Sequence, residues 1–352
     1  VPAQTPLLSE HLQTAGYRTG AFVSAYVLDR SLGFGRGFEV YDSQFGRLRG
    51  FSDTRMGRLV AALDRVMDPH LILERRADQT VDRAIDWLET VDDQPFFVWV
   101  HLFDPHGPYE PPSPWDQAYY SGDPFDQSHT SMEAVSGVAP YLQDSLSGIR
   151  DLDWVKAQYA GEVSFVDEQI GRIQDWITVS GHQSNTLVVV AGDHGESLGE
   201  AGVWFNHGGN LDASAIDVPL LVTWPGRLPS NTVVREVVGV VDVSPTVMSL
   251  LGLPFTSVDG VDLSRSWNQA DWSRPSVRSL CFDRQKNQKE RAAGRIQAPT
   301  YLLARAWHED GDVQIGTHPE RGSSMRGRVD DTDLMTTAKV LRMVTDLAHD
   351  KA

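Results

Sequence analysis

Four side chains in this 352-residue chain are suited to handling a metal-bound anion, and they fall at two places. The run Thr186-Leu-Val-Val-Val-Ala-Gly192 ends in Asp193-His194-Gly195-Glu196. Asp193 offers a hard carboxylate oxygen and His194 an imidazole nitrogen, a donor pair for a divalent ion. His207 follows fourteen residues after Asp193, far enough for a loop to fold back over the same rim. His106 stands elsewhere, in the proline-stiffened turn Phe103-Asp104-Pro105-His106-Gly107-Pro108-Tyr109. A histidine so placed can bind an anionic group or protonate a leaving oxygen.

Each of these has an ordinary explanation when taken alone. Asp-His-Gly after a strand also serves as a helix cap and turn. His106 can simply cap its turn, His207 in Asn-His-Gly-Gly can be an exposed loop residue, and His101 reads as a satisfied strand histidine. Their joint occurrence at two strand ends is what points to a site. Asp193 and His194 are an incomplete shell for a catalytic ion. Glu196, Glu200 and Asp212 are further acid candidates, with Glu196 read as a brace for the loop.

The elements that must carry these residues are legible in order. Thr5-Pro6 opens a helix through Leu8, Leu12 and Ala15 that stops at Gly16. Tyr17–Val23 is a strand by its β-branched and aromatic content. Residues 29–70 read as surface loops with one short helix. Ala77, Val81, Ala84, Ile85 and Leu88 mark an amphipathic helix. Residues 95–102 form a buried strand, and 110–150, rich in Pro, Ser, Gly and Asp, read as a lid over the strand ends. Tyr159, Val163, Val166, Ile170, Ile173 and Ile177 form the inward stripe of a long helix. The apolar run 186–192 reads as a strand buried on both faces, and ligands in open α/β sheets bind beyond the carboxyl ends of such strands.

Further buried strands are expected at Val218–Trp224 and Val237–Val241, then a helix capped by Ser244-Pro245 that ends at Gly252. Strands alternating with helices predict a mainly parallel sheet with helices on both faces. Beyond Ser264 the pattern changes. Two strands, Arg278–Asp283 and Pro299–Trp307, are joined by the charged segment 284–295, and Thr332–His349 forms a closing helix. The division is therefore an α/β domain over 1–264 and a small α+β subdomain over 265–352.

Composition narrows the partners. The net charge of −17 argues against nucleic acid and anionic membrane surfaces. It also makes an anionic substrate depend on local positive charge, from a metal or clustered histidines. No apolar run is long enough to span a membrane, and no signal peptide is found. The first residue is Val1 rather than Met, so the start reads as a cut edge and a missing targeting segment says little. Cys281 is the single cysteine and leaves the redox compartment open.

These residues carry a family resemblance. The chain resembles a sulfatase of the alkaline phosphatase superfamily in the segments 6–25, 33–42, 95–112, 159–173, 186–219 and 241–254, followed by Asp259-Gly260, all in family order. Asp-His-Gly-Glu-Ser-Leu-Gly-Glu and Asp-Pro-His-Gly-Pro-Tyr are the most specific of them. The resemblance implies that Asp193 and His194 are the second pair of metal ligands, usually for calcium, with manganese or zinc as alternatives. It implies that His106 contacts the sulfate and helps protonate the leaving oxygen, and that His207 binds the anionic group. Asp242 and the Ser244-Pro245 helix match a structural motif without a catalytic role.

The departures from the family pattern are equally specific. The family's first metal-binding acids, and its nucleophile in Cys-x-Pro-x-Arg or Ser-x-Pro-x-Arg, are expected upstream of Val1. Cys281 lies outside any such motif. Asp217 stands where the family places arginine. The resemblance implies hydrolysis of small-molecule or carbohydrate sulfate esters by the intact protein, with export to the periplasm or outside as the family habit. Two alternatives stay open. One is a phosphodiesterase, phosphonate monoester hydrolase or phosphoethanolamine transferase of the same superfamily; the other is a non-catalytic protein that kept the fold.

Overall fold

A computed structural model of the chain describes residues 6–45, 74–207, 211–234, 236–254, 260–267 and 272, and the backbone of four strands between 277 and 327. The chain forms two compact units, one over 1–132 and 145–183 and the other over 133–144 and 184–352.

The first unit is built on three parallel strands, β1 (Arg18–Val23), β2 (Val40–Asp42) and β3 (Phe96–His101), in the order β2-β1-β3. Helix α1 (Leu8–Thr14) leads into β1, with Leu7 rather than Thr5 in the cap position. The Glu10 carboxylate accepts the Leu7 N–H at 3.2 Å, satisfying a donor that leucine cannot serve itself. One face of the sheet packs Phe22 against Ala84, Trp87, Leu88 and Val91 of helix α2 (Ala77–Leu88) and its exit. Gly20 makes this fit possible, because a Cβ there would stand 2.9 Å from the Trp87 ring. The other face is closed by an aromatic loop, with Tyr26, Phe34 and Phe38 packed against Ala21, Val23 and Tyr41.

At the carboxyl ends of β1 and β2 a buried arginine ties the rim together. Arg75 donates to Val23 O at 2.9 Å, Thr80 Oγ1 at 2.9 Å and Asp42 Oδ1 at 3.1 Å. Arg83 donates to the second Asp42 oxygen at 2.9 Å.

Helix α3 (Leu152–Val179) is as long as its stripe predicts, but its buried face is turned. Val155, Ala157, Gln158, Gly161, Glu162, Phe165, Gln169 and, from the expected stripe, Ile177 are the buried positions, while Tyr159, Val163, Val166, Ile170 and Ile173 are half-buried. The reason is the segment that covers it. Gln158 Nε2 donates to Asp116 O at 2.9 Å, Trp115 Nε1 donates to Glu168 at 2.8 Å, and Tyr119 OH meets Ser164 Oγ at 2.7 Å. Polar helix residues therefore meet a loop with backbone groups to satisfy. The part of the expected lid at 110–132 is fastened along this helix.

The second unit departs further from expectation. Strand β4 (Val188–Ala191) pairs antiparallel with β7 (Leu220–Thr223), and β5 (Ser197–Leu198) with β6 (Trp204–Asn206). Strand β4 is half-buried with Ala191 exposed, not buried on both faces, since among the described residues β7 is its only neighbour. Strand β7 is likewise partly exposed. The span 237–241 forms no strand; a 3-10 turn over Val240–Asp242 leads straight into helix α5 (Val243–Leu250), after the short α4 (Ala213–Ile216).

Helix α5 starts at Val243 with Asp242 as its cap residue, so Pro245 lies inside the first turn. Asp242 is fully buried, and it accepts the Gly239 and Val261 N–H groups at 2.8 Å each. The structural role implied for this residue is thus visible as hydrogen bonds.

Four strands, β8 (Val277–Phe282), β9 (Leu302–Glu309), β10 (Asp312–Thr317) and β11 (Ser324–Gly327), form an antiparallel meander. Two of them match the expected pair, and β10 and β11 are additional. Cys281 pairs with Ala304 in this sheet. The segment 284–295 and the closing helix expected at 332–349 lie outside the described residues.

Candidate active site

The loop after β4 is held in place by glycine. Gly195 N–H donates to Ala215 O at 2.9 Å, and a Cβ at Gly195 would lie 2.0 Å from Ser214 O. Only glycine lets the loop pass this close to α4. Ser197 Oγ meets Ser214 Oγ at 2.9 Å and pins the next residues.

On this loop Asp193 and His194 point their donor atoms to a common region. Asp193 Oδ2 lies 3.8 Å from His194 Nε2, and Asp193 Oδ1 accepts the His194 N–H at 2.9 Å. His194 Nδ1 is 3.0 Å from Gly195 O. With Nδ1–H donated to that carbonyl, Nε2 carries the lone pair, the tautomer a metal-ligating histidine needs. Two donors 3.8 Å apart can share one ion, because metal–ligand distances are about 2.0–2.6 Å. The donor chemistry therefore fits a divalent ion. Among the described residues no group of three or more His, Cys, Asp or Glu is arranged to hold one.

The β5–β6 hairpin returns the chain to this loop. Ser197 pairs with Asn206, and Phe205, fully buried with φ of 48°, turns the strand end. The His207 ring stacks on the His194 ring with centroids 4.1 Å apart and planes 20° from parallel. His207 Nδ1 lies 3.1 Å from Glu196 Oε2, a carboxylate almost fully buried. Glu196, expected to brace the loop, is thus the partner of the histidine that the hairpin brings in. Nothing in the spacing of positions 196 and 207 announces that pairing; the hairpin register makes it.

His106 belongs to the first unit, at the turn that follows β3. Its ring stacks on Phe103 at 4.2 Å, and its Nδ1 lies 2.8 Å from Gly107 O. Both proline bonds of the turn, Asp104–Pro105 and Gly107–Pro108, are cis. His101 ends β3 edge-on to Trp99 at 6.3 Å, as a strand histidine. Two carboxyls, Asp104 within the His106 turn and Glu162 beside it, hold that turn in place. Asp104 Oδ2 accepts the Ala77 N–H at 2.9 Å, and Glu162 Oε1 accepts the Glu110 N–H at 2.7 Å. Burial pushes the Asp104 carboxyl up to about 6 and the Glu162 carboxyl up to about 9, the latter also under the influence of Asp104.

The sulfatase family model matches residues 1–253, most of the chain. The chain belongs to the sulfatase family. An arylsulfatase of Clostridium perfringens is 29% identical over 193 residues, which are 52% of this chain and 40% of that protein. A sulfatase of Formosa agariphila is 30% identical over 186 residues, 49% of this chain and 36% of that protein. The matches thus span about two fifths of the length of these curated relatives.

Among solved structures, a phosphonate monoester hydrolase of Agrobacterium radiobacter superposes with a TM-score of 0.65 at 18% identity, covering 99% of this chain and 80% of that one. A structure in complex with its substrate, D-glucosamine-2-N,6-O-disulfate, superposes with a TM-score of 0.61 at 16% identity, covering 98% and 82%. These two show a shared fold, an α/β architecture with a parallel sheet and helices.

Proposed function

We propose that this sulfatase-family chain, read as an α/β domain over 1–264 and an α+β subdomain over 265–352, serves a metal-dependent hydrolase of sulfate esters. The observation that carries the reading is the strand-end cluster: Asp193 and His194 as a donor pair, with His207 stacked on His194 and held by Glu196. Asp193 and His194 would hold a divalent ion, calcium by family habit with manganese or zinc as alternatives. Bound there, such an ion supplies positive charge toward the sulfate oxygens.

His207 binds the anionic group. The Glu196 carboxylate, accepting from Nδ1–H at 3.1 Å, fixes its ring. His106, oriented by Phe103 and Gly107 O, donates the proton that the leaving oxygen takes up. In a chain of net charge −17, an anionic substrate requires local positive charge, which such an ion would supply. The substrate class is a small-molecule or carbohydrate sulfate ester, consistent with the sulfated glucosamine bound by the structural neighbour.

The test is hydrolysis of an aryl sulfate against an aryl phosphodiester by the full gene product. Faster turnover of the sulfate, lost in Asp193→Ala, supports the reading. Faster turnover of the phosphodiester, or threonine as the nucleophile upstream of Val1, assigns the chain to the phosphodiesterase side of the superfamily. Calorimetric titration of the chain with calcium checks the partial shell: weak binding is expected, and tight binding would contradict it.

A further inference from the structure

The turn that carries His106 is fastened at both ends to helices by carboxyls, and neither belongs to the cluster around Asp193. At its start, Asp104 Oδ2 accepts the N–H of Ala77, the first residue of α2. At its end, Glu110 N–H donates to Glu162 Oε1 at 2.7 Å from the middle of α3. Glu162 is 3% exposed, and its second oxygen, Oε2, is buried with no hydrogen-bond partner among the described residues.

The end of the turn and the segment that follows it lie close against the helix. A Cβ on Gly161 would stand 2.5 Å from Trp115 O and 2.8 Å from Pro111 Cγ. Tyr109 packs edge-on against Tyr159 with centroids 5.4 Å apart.

We propose that Glu162 is a positioning residue for His106, its carboxyl anchoring the far end of the His106 turn to α3 while Asp104 anchors the near end to α2. This rests on the role proposed above for His106. A charged carboxylate is poorly suited to the place, because Glu162 is buried among acids. Asp104 and Glu110 of the turn and Glu74 ahead of α2 all raise its affinity for a proton. Asp104 is itself influenced by Asp78 and Arg76. Burial and like charge both disfavour ionisation there, and they outweigh the Glu110 N–H bond that favours the anion.

Neutral Glu162 can accept from Glu110 N–H through its carbonyl oxygen, and glutamine offers the same acceptor without a charge. The chemistry therefore sets apart two substitutions of one residue. Glu162→Gln keeps the anchor; Glu162→Ala removes it.

The experiment is steady-state hydrolysis of an aryl sulfate by the full gene product carrying E162Q, E162A, H106A or H106A/E162A, with thermal unfolding of each. H106A is expected to lower kcat by about 100-fold or more, as loss of a general acid does. E162A is expected to lower kcat by about 10-fold or more with KM little changed, and E162Q to stay within about threefold of the parent. In the H106A background, E162A is expected to cost no more than about threefold further, since residues acting as one unit do not add. The parent is expected to lose kcat as pH rises through about 9, and E162Q to lack that limb.

A folded E162Q as slow as E162A, or an E162A loss that adds in full to that of H106A, overturns the inference and leaves the role of His106 standing. An H106A variant as fast as the parent overturns the role of His106, and this inference with it.

Discussion

His207 and Glu196 show how much of this site depends on one contact. A charge-assisted hydrogen bond at 3.1 Å orients a ring that also stacks on His194. His207→Ala is expected to lower kcat for an aryl sulfate by about 100-fold or more. Glu196→Ala, which leaves the ring in place without its partner, is expected to fall between that variant and the parent. Stopped assays on both variants check the order, and a Glu196→Ala enzyme at parental kcat would reduce the pair to a packing contact. The residue types at this scale were readable beforehand. Asp193, His194 and His106 stand directly after apolar runs, where strand ends put chemistry. The pairing of Glu196 with His207 was not, since it follows from the register of a short hairpin with a bulge at Ser197. Glu162 left a fainter mark: an acid lying in line with Val155 and Phe165 on the buried face of a long helix.

Elements here are held by buried polar hubs as much as by apolar stripes, which is where pattern reading went astray. The run Val237–Val241 has the composition of a strand, yet forms the approach to a 3-10 turn, because Asp242 gathers the Gly239 and Val261 N–H groups around itself. Tertiary hydrogen bonds thus overrode β propensity. Helix α3 kept its predicted length but buried Gln158, Glu162 and Gln169 for a similar reason. Asp242→Ala is expected to destabilise the fold by about 2–4 kcal/mol, since it strands two partly buried donors. Arg75→Met removes one partner of a buried ion pair and is expected to cost about 3–5 kcal/mol. Urea midpoints of the two variants test both values; an unchanged midpoint for either would mean that its hub carries no net stability. Among the elements that did follow the pattern, β1, α2 and β3 are those whose apolar residues meet one another across β1.

For the whole chain, the two buried carboxyls of the first unit set a direction for stability against pH. Asp104 rises from an ordinary 3.8 to about 6 on folding, and Glu162 from 4.5 to about 9. Both bind a proton more tightly folded than unfolded. Between the unfolded and folded values the native state therefore holds more protons, and stability falls as pH increases. The decline starts near pH 4, loses its Asp104 part by about pH 6 and its Glu162 part by about pH 9. Each group contributes a slope of at most about 1.4 kcal/mol per pH unit within its own window. Glu162→Gln removes the larger part, since a glutamine cannot titrate. Its unfolding free energy is expected to match the parent's below pH 4.5 and to exceed it by a growing margin up to about pH 9, then to run parallel. Chemical denaturation of both proteins at pH 4, 6, 8 and 9.5 measures that margin. A constant offset across the series would mean that Glu162 is ionised in the folded protein, and that its turn is anchored by a carboxylate instead.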